Sequence, residues 1–308
     1  MYLCAVARLP DPMLAQTGVH RTGSRVVAEV KYDGCRGIVA VDGHRIRARS
    51  RPGSSMVGWF PELGSLAKDL AGRRVVLDGE VIAADPSGRP DFGRLQRRIG
   101  RTPRRLVGLD PVRFVAFDVL SVDGSSVCDR PWQQRRELLE ELGESAGPQW
   151  QVAPVFDDID AAVDATSEFG LEGVVVKDRS APYRPGQRTR AWIKVKHTTV
   201  SRFVVGGLAT TSRCRDALLV GDLLPDGRIA YRGCVEVGTA KGRRAEAAHL
   251  LRQATTEASP FDSPPGFSQV VWVEPLLIVE VRHLGTTRGG RLREPMLMAP
   301  VDVVRGGL

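Results

Sequence analysis

The chain has 308 residues, 42% hydrophobic and 26% charged, the balance of an ordinary globular protein with apolar material for about two domain cores. Its 44 Lys and Arg against 36 Asp and Glu leave a formal net charge of +8, which points to nucleic acid, nucleotides or acidic surfaces as partners. The 33 Gly and 20 Pro follow no three-residue period, excluding a collagen-like fibre, and no apolar run approaches the roughly 20 residues of a membrane span.

In chain order, Val26–Tyr32 and Arg36–Val41 read as strands joined by an Asp33-Gly34 hairpin turn. A second hairpin at Asp42-Gly43 leads into Arg45–Ser50, and Val75–Leu77, Val81–Ala83, Arg113–Leu120, Gly173–Val176 and Ala191–Val195 are further β-rich runs. Helices are expected over Leu63–Leu70, Phe92–Ile99, Trp132–Leu142 and Ile159–Phe169. The interleaving shows no regular β-α-β alternation, which indicates an α+β fold. After His197 the pattern changes to strands at Phe203–Leu208, Ala217–Leu223, Ile229–Glu236 and Val270–Val281, with a helix expected over Arg243–Thr255. Short strands at this spacing suggest a small barrel, so the domains are placed at 1–198 and 199–308.

Five short stretches combine strand ends with charge: Glu29-Val-Lys31-Tyr-Asp33-Gly34-Cys-Arg36, Asp78-Gly79-Glu80, Phe117-Asp118, Glu172-Gly173 and Lys194-Val-Lys196. A lysine attacks only as its free amine, and nearby cations and partial desolvation make that form accessible. Lys194 and Lys196, two apart on a strand, share a face. Each stretch alone is commonplace; their order is not. The cysteines Cys4, Cys35, Cys128, Cys214 and Cys234 have no CxxC spacing, so neither a disulfide framework nor a thiolate zinc site is expected. With no basic, apolar leader at the N-terminus, a reducing cytoplasm is the expected setting.

The ordered set resembles the covalent nucleotidyltransferases, specifically the ATP-dependent DNA ligases. Lys31-Tyr-Asp33-Gly34-Cys-Arg36 matches their Lys-x-Asp-Gly-x-Arg signature, and Ser50-Arg51-Pro-Gly53 the short motif that follows it. The resemblance implies a nucleotidyltransferase domain (ATP-grasp-like, antiparallel sheets with helices) followed by an OB-fold domain. It implies Lys31 as the nucleophile that takes up AMP, with Glu29 on the adenine and Arg36 and Arg51 in the nucleotide site. Phe117 and Val175 would flank the base, Glu80 and Glu172 would hold ribose and Mg²⁺, and Lys194 and Lys196 the α-phosphate. The implied substrate is nicked duplex DNA, sealed through a lysyl-AMP and an adenylated DNA intermediate by a monomer near the nucleoid, in DNA repair with repair-protein partners and no membrane. Two other readings stay open: an enzyme acting on RNA ends, and a non-catalytic nucleic-acid-binding relative.

Arg94, Arg97, Arg98 and Arg101 follow i, i+3, i+4, i+7 spacing, which on a helix makes one basic face, and Arg104 and Arg105 extend it. No acid lies between Arg94 and Leu109, so this face is expected on the DNA backbone. The family's closing Arg-x-Asp-Lys/Arg motif is replaced by Ala299–Arg305, in which Asp302 lacks basic neighbours; slow adenylation from ATP, or help from another group, is expected.

Overall fold

The computed structural model describes residues 9–303 except 20–21, 71, 102–106, 211–216, 237–250, 252–253 and 288. The chain divides into two compact units, Met1–His197 and Thr198–Leu308. In chain order the first carries β1 (Leu14–Thr17), β2 (Val26–Val30), β3 (Cys35–Asp42), β4 (Arg45–Ser50), α1 (Leu66–Asp69), β5 (Arg74–Ala83), α2 (Phe92–Gln96), β6 (Val112–Val122), β7 (Ser125–Ser126), α3 (Trp132–Gly143), β8 (Trp150–Val152), β9 (Val155–Phe156), α4 (Ile159–Glu168), β10 (Gly173–Asp178) and β11 (Arg188–Lys196). One sheet has the order β1-β11-β10-β2-β9; the other runs β4-β3-β5-β6-β7, with β8 beside β6.

The hairpin expected at Asp33-Gly34 does not form. β2 pairs with β10 and β9, whereas β3 pairs with β4 and β5, so residues 31–34 cross from one sheet to the other. Gly34 lies outside the left-handed region and serves by its size: a Cβ there would stand 2.3 Å from Val81 O. The Asp42-Gly43 hairpin does form, with Asp42 opposite Arg45 and Gly43 at φ 58°, the left-handed geometry a tight turn requires.

Alternating apolar positions build three layers. Ala28, Val174 and Val176 pack against Ile159 and Ala162 of α4. Ile38, Ala40 and Leu120 of the second sheet meet Met13, Tyr183 and Trp192 in a cluster that Phe117 and Val175 join. The far side of the second sheet holds the largest cluster, including Val39, Leu77, Phe114, Leu139 and Trp150. The runs Val75–Leu77 and Val81–Ala83 fuse into the single strand β5, because the polar triplet between them stays in the ladder with Asp78 fully buried. α2 stops at Gln96 rather than Ile99: tighter i→i−3 bonds from Arg98 and Arg101 take over, and Gly100 turns the chain at φ 77°.

The second unit contains β12 (Thr199–Ala209), β13 (Ala217–Leu223), β14 (Ile229–Glu236), β15 (Thr255–Thr256), β16 (Val270–His283) and β17 (Met296–Val303). Its antiparallel order is β14-β13-β12-β16-β15, with β17 also on β16. Along β12 the register jumps from Val205 opposite Leu277 to Gly207 opposite Trp272; the irregularity accommodates Pro275, which has no N–H for the ladder. Val205, Leu218, Val220, Val273 and Val279 form its core. Of the helix expected over Arg243–Thr255, residues 243–250 and 252–253 lie outside the described residues, and Thr255 begins β15. Cys4, Cys214, Arg104, Arg105 and Arg305 also lie outside them. Among the described residues no helix is long and apolar enough to cross a membrane.

Candidate active site

The ladder of β2, β10 and β11 fixes which side chains share a face, because residues directly opposite one another point the same way. Val27, Lys177 and Trp192 form one cross-strand row, and Glu29, Val175 and Lys194 the next. In the third, Gly173 lies opposite Lys196, and its carbonyl accepts the Lys31 N–H at 2.9 Å. Gly173 sits at φ 138°, and a Cβ would come within 2.0 Å of Val195 O, so this position admits no side chain.

Glu172, just before that glycine, gathers the lysines. Lys31 Nζ donates to its Oε2 at 2.6 Å, and Lys196 Nζ lies 3.1 Å from its Oε1. Burial alone would raise the Glu172 pKa, but the two ammoniums prevail and hold it below the ordinary value. The second sheet supplies Arg36, Asp78, Glu80 and Phe117. Arg36 grips Asp78 with two bonds, Nε at 3.0 Å and Nη2 at 2.6 Å, and its guanidinium lies 5.2 Å from the Phe117 ring centre. Asp78 Oδ2 also accepts from the Tyr183 hydroxyl at 2.6 Å, which in turn accepts the Met13 N–H at 2.9 Å. Burial opposes the charge on Arg36, yet Asp78 outweighs it and raises the pKa.

Glu80 stands opposite Arg36 in the ladder. Burial pushes its carboxyl up to about 8, with Asp78 and Glu172 adding to the rise and Arg36 and Lys31 failing to cancel it. This corner is short of positive charge when Glu80 ionises. Mg²⁺ is commonly held by one or two carboxylates together with phosphate oxygens, and Glu80 with Glu172 fits that donor set. Among the described residues no group of three or more His, Cys, Asp or Glu could hold a metal, so phosphate oxygens and water would complete the shell.

Glu29 is 2% exposed. Its Oε2 pairs with Lys177 Nζ at 2.7 Å, while its buried Oε1 has no hydrogen-bond partner. Lys177 also donates to Phe117 O at 3.1 Å, with its ammonium 4.7 Å from the Phe117 ring centre and 4.4 Å from that of Trp192. The sequence marks Lys177 as the lysine that closes the strand opened by Glu172, but gives it no role in the site. Phe117 and Val175 border the same apolar cluster. Arg51 is exposed, and its backbone N–H, bonded to Arg36 O at 3.2 Å, ties its turn to the site.

The arginine-rich segment departs from expectation. Arg98 is 2% exposed and makes two bonds to Glu62, at 2.6 and 2.7 Å, and one to Asp110 O. Arg94 and Arg97 both engage Asp110, just beyond the acid-free stretch. With α2 ending at Gln96, the four arginines do not form one helical face; Arg98 is a core staple, while Arg97 and Arg101 remain exposed.

Comparison with known families settles the grouping. The model of the ATP dependent DNA ligase domain matches residues 12–196, and that of the ATP dependent DNA ligase C terminal region matches residues 211–299. This chain belongs to the ATP-dependent DNA ligases. It is 36% identical over 293 residues to the multifunctional non-homologous end joining protein LigD of Mycobacterium bovis, covering 92% of this chain and 37% of that protein. It is 32% identical to DNA ligase C2 of Mycolicibacterium smegmatis, covering 83% of this chain and 72% of that one. The chain thus spans about a third of the length of the LigD relatives it matches. Among solved structures, mycobacterial DNA ligase D complexed with ATP and MES matches with a TM-score of 0.59 at 33% identity, over 96% of this chain and 98% of that one. The ligase fold, α+β nucleotidyltransferase layers followed by an OB-fold barrel, is therefore the fold of this chain.

Proposed function

We propose that this chain is an ATP-dependent DNA ligase that seals nicks bearing a 5′-phosphate and a 3′-hydroxyl. The observation that carries the reading is the convergence of Lys31 and Lys196 on Glu172, on a sheet face that also presents Glu29. Lys31 Nζ, once free of its proton and of Glu172, attacks the α-phosphorus of ATP; an N–P bond forms, the bond to the β-phosphate oxygen breaks, and pyrophosphate leaves. AMP then passes to the DNA 5′-phosphate, and the 3′-hydroxyl displaces it as the strand closes. Lys194 and Lys196 are placed to take up charge on the α-phosphate, the contribution that dominates such transfers. Mg²⁺ held by Glu80 and Glu172 would neutralise phosphate charge. The likeness to end-joining and other DNA ligases supports a role in DNA repair, with repair proteins as partners.

The test is incubation with ATP and Mg²⁺ followed by peptide mapping. AMP is expected on Lys31, and Lys31→Ala should lower labelling by on the order of 10⁴-fold or more; AMP on another residue overturns the assignment. Nicked duplex should be sealed with ATP, and faster when pre-adenylated, since Ala299–Val303 offers no basic side chain for the first step. Adenylation without sealing of DNA, but with joining of RNA ends, would favour the RNA-directed reading.

A further inference from the structure

We propose that strand β4 is a track for the backbone of one DNA strand, which runs from the candidate active site out past Arg47 and Arg45. The inference rests on the DNA ligase reading above and adds to it a surface that grips the substrate. Residues 45–51 read Arg-Ile-Arg-Ala-Arg-Ser-Arg, so in an extended strand the arginines fall on one face. The other face is taken up by the core: Ala48 is buried in the largest apolar cluster, and Ile46 packs against it.

The ladder shows where the arginine face looks. Arg45, Arg47 and Arg49 stand opposite Asp42, Ala40 and Ile38 of β3, and Ile38 stands opposite Asp78 of β5. Asp78 clasps Arg36, Arg36 stands opposite Glu80, and the Arg51 N–H bonds Arg36 O at 3.2 Å. The row therefore starts at the candidate site and continues on the same face of the sheet for ~20 Å, the length of about six base pairs of duplex. β4 is the outermost strand of its sheet. Residues 54–56 fold back along Ala48–Ser50, but among the described residues no strand pairs with the outer edge at Arg45 and Arg47.

The acids folded against this row leave it positive. Arg49 is committed, with Nη2 on Leu9 O, Pro10 O and the Asp11 carboxylate. Asp42 stands between Arg45 and Arg74 in the ladder, and the sequence holds no further acid before Glu62. Arg45, Arg47 and Arg51 are exposed, and Arg45 and Arg51 make no ion pair among the described residues. Charges at a sheet edge also discourage pairing with another sheet, but that role requires neither a single sign nor a row that ends at the active site. A phosphate backbone matches both features.

The experiment measures binding of the full chain to nicked duplex DNA over a range of salt. Replacing both Arg45→Gln and Arg47→Gln should weaken binding about tenfold near 0.1 M salt and lower the salt slope by about 2. Arg45→Lys with Arg47→Lys, which keeps the charge, should retain the native slope. A second measurement locates the contact: single neutral methylphosphonates replace each phosphate in turn, out to about six from the nick on every strand. The native protein should lose about threefold at phosphates of one strand on one side of the nick, and the doubly Gln-substituted protein should lose nothing further at the outer ones. An unchanged salt slope, or equal losses at every phosphate in both proteins, overturns the inference. So does a Gln variant that binds DNA like the native protein but self-associates, the mark of an edge guard. Preference of these arginines for single-stranded RNA over nicked duplex overturns the choice of partner. Native protein that takes up no AMP on Lys31 from ATP defeats the ligase reading; failure of the binding tests with Lys31 labelled defeats the track alone.

Discussion

Two basic regions of the first unit use their charge differently. At the candidate site Lys31 and Lys196 share the single carboxylate of Glu172, and Glu80 nearby is pushed up to about 8. Around Arg94–Arg101, Asp110 takes two guanidiniums and Glu62 clasps a third, that of the buried Arg98. On the proposed reading, phosphate and a cation would rearrange the lysine cluster. In the arginine segment Arg94 and Arg98 are tied to acids and hold structure, while Arg97 and Arg101 stay exposed. A run of positive charge in a sequence is thus no measure of charge available to a ligand; the acids folded against it decide.

The sharpest way to break this contrast is Lys196→Ala. Single-turnover adenylation should fall by about 10² to 10³-fold, with little change in melting temperature; a large drop in stability instead would make Lys196 a staple like Arg98. Arg98→Ala should do the reverse. Removing one partner of a buried ion pair costs about 3 kcal/mol, visible in denaturant unfolding, while adenylation by the folded fraction stays near native. At the edge of the site, burial and Glu80 push the Cys35 thiol up to about 11 from its ordinary 9. Its thiolate is the reactive form, so alkylation near neutral pH, followed by peptide mapping, should run about 100-fold slower than at an unperturbed thiol. The rate should climb tenfold per pH unit until about pH 11, and a plateau near pH 9 would contradict that environment. The smallest effect belongs to the exposed arginines: Arg97→Ala and Arg101→Ala should each weaken binding to nicked duplex a few-fold and lower the salt slope by about 1. An unchanged slope removes that residue from the backbone contacts.

The contrast also explains what could be read in advance. Lys31, Glu172, Lys194 and Lys196 sit at strand ends or alternate along strands, so spacing alone brought the strand lysines to one face. The exchange between sheets at residues 31–34 was hidden, because Asp-Gly is a turn signal whose alternative, tight backbone packing, depends on Val81 far along the chain. Arg98 was hidden for a related reason: a helical pattern cannot show that α2 ends at Gln96, nor that Glu62 waits 36 residues upstream. Lys177 looked like the end of an apolar strand, and only the folded ladder sets it against Glu29.

The link from Arg36 through Asp78 and Tyr183 to the Met13 amide sets a limit on trimming. A chain shortened to start at Ala15 would lose that amide, the apolar plugs Leu9 and Met13, and the three acceptors of Arg49: Leu9 O, Pro10 O and the Asp11 carboxylate. The supports behind Arg36 and Arg49 would then be lost although every motif residue were still present. Fragments prepared for crystallography or assay should therefore keep the residues ahead of the first strand.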